Sequence, residues 1–191
     1  MMARILRPAV TLLIVMTLVL GLAYPAVITV IAAVAFPQQA AGSLVVRDGR
    51  LIGSRLIGQE FSSPGYFWSR PSASGPHPYD GLASAGSNLG PMNPALTDRI
   101  RASLKALREA DPDNALPVPV ELVTTSASGL DPEISPAAAI YQAARVARAR
   151  GVPVARVQAL IDRHRQDRLL GFLGEPRVNV LELNLALDQL Q

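Results

Sequence analysis

From Ala9 to Phe36 the chain carries no charged residue, and Arg4 and Arg7 stand just before that run. As helix the run would be about 42 Å long, more than the roughly 30 Å hydrocarbon core of a bilayer. The first charge beyond it is Arg47. So long an uncharged stretch predicts a transmembrane helix over residues 9–36. Positive residues beside a span tend to stay in the cytoplasm. The chain therefore reads as single-pass, with residues 1–8 cytoplasmic and residues 37–191 forming one extracytoplasmic α+β domain. A cleaved signal peptide is the competing reading, with Ala33-Val34-Ala35 as a small-x-small cleavage site. Its apolar core would be only about 7–15 residues, far shorter than the run seen here. Pro25 falls mid-span, where it frees a backbone carbonyl and predicts a kink.

The rest of the chain is long enough for one compact domain with its own core. There is no cysteine, so neither a disulfide framework nor a thiolate metal site is available. Lys and Arg total 18 against 15 Asp and Glu, and Arg4 and Arg7 supply most of the excess. Without a basic stripe, and with aromatics at 5%, nucleic-acid binding is excluded. His77 and His164 are isolated, which gives no ligand cluster for a metal. Gly-x-x-x-x-Gly-Lys-Ser/Thr, Asp-Lys-Thr-Gly-Thr and Gly-x-Ser-x-Gly are all absent, so no catalytic residue is expected.

Asp48-Gly49 between Leu44-Val45-Val46 and Leu51-Ile52 predicts a hairpin. Residues 61–94 are rich in Gly, Pro, Ser and Asn around an aromatic knot, Tyr66-Phe67-Trp68, and read as an ordered loop with Phe67 and Trp68 buried at one end. Leu96, Ile100, Leu104 and Leu107 share one face of a helix from Pro94 to about Ala110. Val118, Val120 and Leu122 alternate, which predicts a strand over 117–124. Ser135 caps a helix that opens at Pro136 and stops at Gly151. A third helix is expected from Val152-Pro153 through Asp167, and a last one within 178–190 after a short strand. The expected fold is thus α+β, with a small sheet and three to four helices behind the membrane span.

Ser87 to Asn93 precedes the first soluble helix and could offer backbone N–H groups to a phosphate. Pro91 and Pro94 remove two of those donors, so a rigid partner-docking loop is the better reading. Arg70, Ser87, Asn88, Gly90 and Asn93 are the candidate partner-binding residues, with Arg70 pairing with a carboxylate on a partner or inside the domain. Glu175, Glu182 and Asp188 could lure a cation, although a capped, solvated helix explains them more simply.

Five strings in order resemble one family. They are Arg70-Pro71-Ser72; Ser84 through Pro94; Ser126-Ala127-Ser128-Gly129-Leu130-Asp131-Pro132 with Ile134-Ser135-Pro136; Arg145 through Gly151; and Leu173 through Leu187. Together they resemble the C subunit of the Kdp potassium-transporting P-type ATPase. Met92, Ala85 and Asp80 depart from its common residues. The resemblance implies a non-catalytic accessory subunit in the cell inner membrane that assembles with a potassium-translocating and an ATP-hydrolysing subunit. It further implies a catalytic chaperone that raises the ATP affinity of the hydrolysing subunit, with no cofactor of its own and ATP entering only through the complex. The family's nucleotide contacts fall here on Ser128, Gly129 and Gln142. An outside location would deny those residues any ATP, in which case Ser128-Gly129 is a turn and Gln142 a solvated helix residue. The rival class is a membrane-anchored extracytoplasmic binding module or hydrolase acting alone, with a pocket along the Phe61–Asn93 loop.

Overall fold

The computed structural model describes residues 2–190, which fall into two compact units divided between Ile52 and Gly53. In the first, helix α1 (Met2–Leu18), a π-helical turn (Val19–Ala23) and α2 (Tyr24–Ala35) follow without a break. One stretch of this rod, Arg4–Ala35, is long and apolar enough to cross a membrane. The π turn sits where Pro25 predicts a disturbance. Proline has no N–H, and its ring crowds the carbonyl four residues back, at Gly21. One widened turn, in which the Tyr24 N–H donates to the Val19 carbonyl, absorbs that conflict. A short α3 (Pro37–Ala40) leads to strands β1 (Leu44–Arg47) and β2 (Arg50–Ser54), which pair as the Asp48-Gly49 signal predicts. Both turn residues take positive φ, 51° and 74°, the pair of values a type I′ hairpin turn requires.

The second unit is built on α4 (Pro94–Ala110), α5 (Pro136–Arg150), α6 (Val154–His164) and α7 (Val180–Leu187). A three-stranded antiparallel sheet joins them, in the order β3 (Glu133–Ile134), β5 (Arg177–Asn179), β4 (Arg165–Gln166). Ile134 faces Val178 from one side and Arg165 faces it from the other. The fold is α+β. The expected caps are in place: the Ser135 side chain accepts from the Ala138 N–H, and Gly151 ends α5 at φ 66°. A residue with a Cβ would be strained at that angle.

Two expectations fail. Residues 117–124 form no strand; Val120–Leu122 is a single 3₁₀ turn. Pro117 and Pro119 have no N–H to give a ladder, and the Pro119 carbonyl instead accepts from Leu122, closing the turn. The third helix stops at His164 rather than Asp167, because Arg165 and Gln166 turn extended to pair with β5.

The core centres on α5. Ala138, Ala139, Ala143 and Ala147 are almost wholly buried, and their small size lets neighbouring elements approach closely. Val157, Leu160 and Ile161 come from α6, while Val180, Leu183 and Leu187 come from α7. Leu107 plugs in from α4, with Ile100 and Leu104 packed beside it on the predicted face.

Candidate functional site

The segment 61–72 lacks regular structure, yet Phe67 within it has no exposed surface. An irregular backbone can be buried only if its polar groups find partners. Here two amide side chains serve as those partners. Asn184 of α7 accepts the Phe67 N–H at 2.8 Å and donates to the Phe67 carbonyl at 3.0 Å. Gln142 of α5 does the same for the next residue, accepting from the Trp68 N–H at 2.8 Å and donating to its carbonyl at 3.1 Å. Each amide thus replaces a paired strand. Two arginines complete the clamp. Arg145 donates to the carbonyls of Pro64 and Tyr66 and to Gln142 Oε1, with its guanidinium 4.2 Å from the centre of the Trp68 ring. Arg150 donates to the Gly65 carbonyl and to Asp188, which also accepts the Tyr66 hydroxyl. Burial lowers the Arg145 guanidinium to about 10, still cationic at neutral pH, and nearby Asp111 and Tyr141 oppose the fall.

The next part of the loop is held from the other side. Arg70 pairs with Asp131 at 3.0 Å, inside the unit. Ser72 Oγ donates to the Gly129 carbonyl, and the Ala85 N–H and the Ser84 hydroxyl both donate to the Ser128 carbonyl. The Tyr79 hydroxyl donates to the Arg70 carbonyl, and burial pushes its pKa up to about 12. Gly129 sits at φ 67°, where an added Cβ would stand 2.6 Å from the Ala85 carbonyl oxygen. Only glycine fits there.

Ser128, Gly129 and Gln142 therefore do not share one surface, but all three tie down the same long loop. Ser128 is exposed and Gly129 buried in a turn. Gln142 is 1% exposed with both amide atoms bonded, so the expectation of a solvated helix residue is corrected. Its side chain lies inward because the loop returns across α5. Of the docking-loop candidates, Asn93 caps α4 by accepting from the Ala95 N–H. Asn88 holds φ 49°, and Gly90 is exposed. Ser87 is half-buried, and Arg70 lies elsewhere, with Asp131. Glu175, Glu182 and Asp188 do not gather; each pairs with its own arginine, Arg168, Arg55 and Arg150. Among the described residues no group of His, Asp and Glu could hold a metal.

A cavity of about 440 Å³ opens between the loop and α4, lined by Phe61, Trp68, Arg70, Tyr79, Leu107 and Leu122 among others. Asn184, Arg145 and Arg150 are the functional side chains the sequence reading missed. For Asn184 a signal existed: a lone amide between Leu183 and Leu185 on an apolar helix needs a buried partner.

The architecture is one N-terminal helix long and apolar enough to cross a membrane, followed by a small α+β unit with an internally clamped loop. Residues 6–189 match the family model described as KdpC, K+-transporting ATPase, c chain. A "Potassium-transporting ATPase KdpC subunit" of Polaromonas naphthalenivorans (strain CJ2) is 60% identical, over 100% of this chain and 97% of the relative. Its counterpart in Sorangium cellulosum (strain So ce56) is 62% identical over 96% of each. One from Herminiimonas arsenicoxydans is 61% identical over 96% of this chain and 97% of the relative. The chain belongs to the KdpC family.

Proposed function

We propose that the chain is the non-catalytic accessory subunit of a high-affinity, ATP-driven potassium import complex. In this reading residues 9–36 anchor it in the cell inner membrane beside the potassium-translocating and ATP-hydrolysing subunits. Residues 37–191 lie on the extracytoplasmic side, with the N-terminus in the cytoplasm. The chain stabilises the assembly and acts as a catalytic chaperone, raising the ATP affinity of the hydrolysing subunit through contact rather than through a nucleotide site of its own. The observation that carries the reading is the match, along nearly the whole chain, to relatives named as subunits of a potassium-transporting ATPase. The occupied Gln142 amide favours contact over direct nucleotide binding: a phosphate or ribose hydroxyl there would have to displace the Trp68 backbone. Ser128, Gly129 and Gln142 then matter because they order the long loop that carries Ser87, Asn88, Gly90 and Asn93 toward a partner, while Arg70 braces that loop through Asp131 within the unit.

Co-expression of the tagged chain with the other subunits tests this. The full chain should co-purify with both larger subunits and lower the nucleotide concentration needed for half-maximal hydrolysis, while the chain alone hydrolyses nothing. Removing residues 1–36 should abolish co-purification. A complex that is equally stable and active without that segment, or a chain that acts alone, would overturn the reading.

A further inference from the structure

The connection between β4 and β5 ends in a knob of apolar side chains that nothing in its own unit covers. Leu169, Leu170, Phe172 and Leu173 are 67%, 76%, 69% and 47% exposed. The knob is not a loose loop. Leu169 and Leu173 exchange two backbone hydrogen bonds, each 2.9 Å, and so close a three-residue turn. Within that turn Leu170 and Gly171 take positive φ, 55° and 81°. A leucine in that region is strained, and the strain persists only where the rest of the turn fixes it. The backbone of the turn is thus fixed with these side chains directed outward, which limits the backbone ordering entropy that binding would cost.

We propose that this knob, residues 169–173, is a plug that seats in an apolar recess on another subunit of the complex; the proposal rests on the subunit reading above. Charge and area select that occupant. A lipid surface would attract free cations at the base of the knob. Here Arg165 is held by Asp167 at 2.8 Å, Arg168 by Glu175 at 2.6 Å and Arg177 by Glu133 at 2.8 Å, so the stalk is nearly neutral. A second copy of the chain is disfavoured by size. The four side chains offer on the order of 400 Å² of apolar surface, the scale of one functional patch. Two such knobs meeting would bury well under the roughly 1,200 Å² of a stable independent interface. A small apolar plug suffices when another element already holds the partners together, because the second contact is then intramolecular. The N-terminal helix supplies that tether.

The test is photo-crosslinking of the full chain, co-expressed with the other subunits in native membranes, with a benzophenone amino acid at Leu170 or Phe172 and a control at Asp113. The proposal expects an adduct to one larger subunit from positions 170 and 172, absent at 113. In parallel, Leu170→Asp with Phe172→Asp should cut recovery of that subunit in detergent by roughly tenfold or more, the effect of losing two buried apolar side chains. The Phe172→Leu variant should retain recovery. Adducts to lipid alone or to a second copy, or undiminished recovery with the double variant, would overturn the plug while leaving the subunit reading intact. Failure of the unaltered chain to co-purify would instead overturn the subunit reading itself.

Discussion

Two irregular segments of this molecule carry aromatic and aliphatic side chains, and they end in opposite places. The segment around Tyr66-Phe67-Trp68 turns Phe67 fully inward, while the knob at 169–173 turns Leu170 and Phe172 outward. The difference lies in the backbone. Each knob residue that closes the turn bonds another knob residue, Leu169 to Leu173, so the segment needs nothing from the core. Phe67 and Trp68 have no such neighbour, and Asn184 and Gln142 take the place of a strand. Hydrophobicity alone does not decide burial of a loop. A partner for its N–H and C=O groups does.

The sharpest way to break this comparison is to empty the buried end. Phe67→Ala should destabilise the full chain in detergent by about 3–5 kcal/mol, the range for a large core side chain. Trp68 is the only tryptophan, so its fluorescence during urea unfolding reads the segment directly. Asn184→Leu should come next, at about 2–4 kcal/mol, because it preserves volume but leaves the Phe67 N–H and carbonyl buried and unpaired. An unfolding midpoint within error of the parent would show that the amide clamp is dispensable. At the base of the knob, burial raises the Glu133 carboxyl above its ordinary value, with Arg177 opposing. The folded state therefore binds that proton more tightly than the unfolded one does. Its stabilising contribution is complete below the ordinary carboxylate range and is lost as pH rises through the folded value. Melting wild type and Glu133→Gln from about pH 4 to pH 7 should show the wild type losing ground to the variant as pH rises, by under about 1 kcal/mol. The smallest effect belongs to the exposed knob: Phe172→Asp should shift stability by less than about 0.5 kcal/mol. A large loss there would mean the knob is part of the core.

What the sequence disclosed follows the same division. The Asp48-Gly49 hairpin, the Ser135 cap and the Gly151 stop are each settled within a few residues, and all are found as expected. Strand β4 is only two residues long and exists because β5 arrives beside it, so local pattern continued the helix through it. Residues 117–124 alternate like a strand but have prolines where a ladder needs donors. Membership of the clamp was hidden for a similar reason. That Gln142 points inward depends on a segment 74 residues earlier crossing α5. Ser128 and Gly129 were legible as a turn; what they hold, Ala85 and Ser72, was not.

In the proposed topology the unit beyond residue 52 lies outside the cytoplasm, where it can influence ATP use only through its partners. The chain has no cysteine, so a single Asp113→Cys, at an exposed position after α4, gives an unambiguous reporter. Treated with a membrane-impermeant maleimide, intact cells should label that cysteine as fully as permeabilised ones. Labelling only after permeabilisation would put the unit in the cytoplasm and contradict the account.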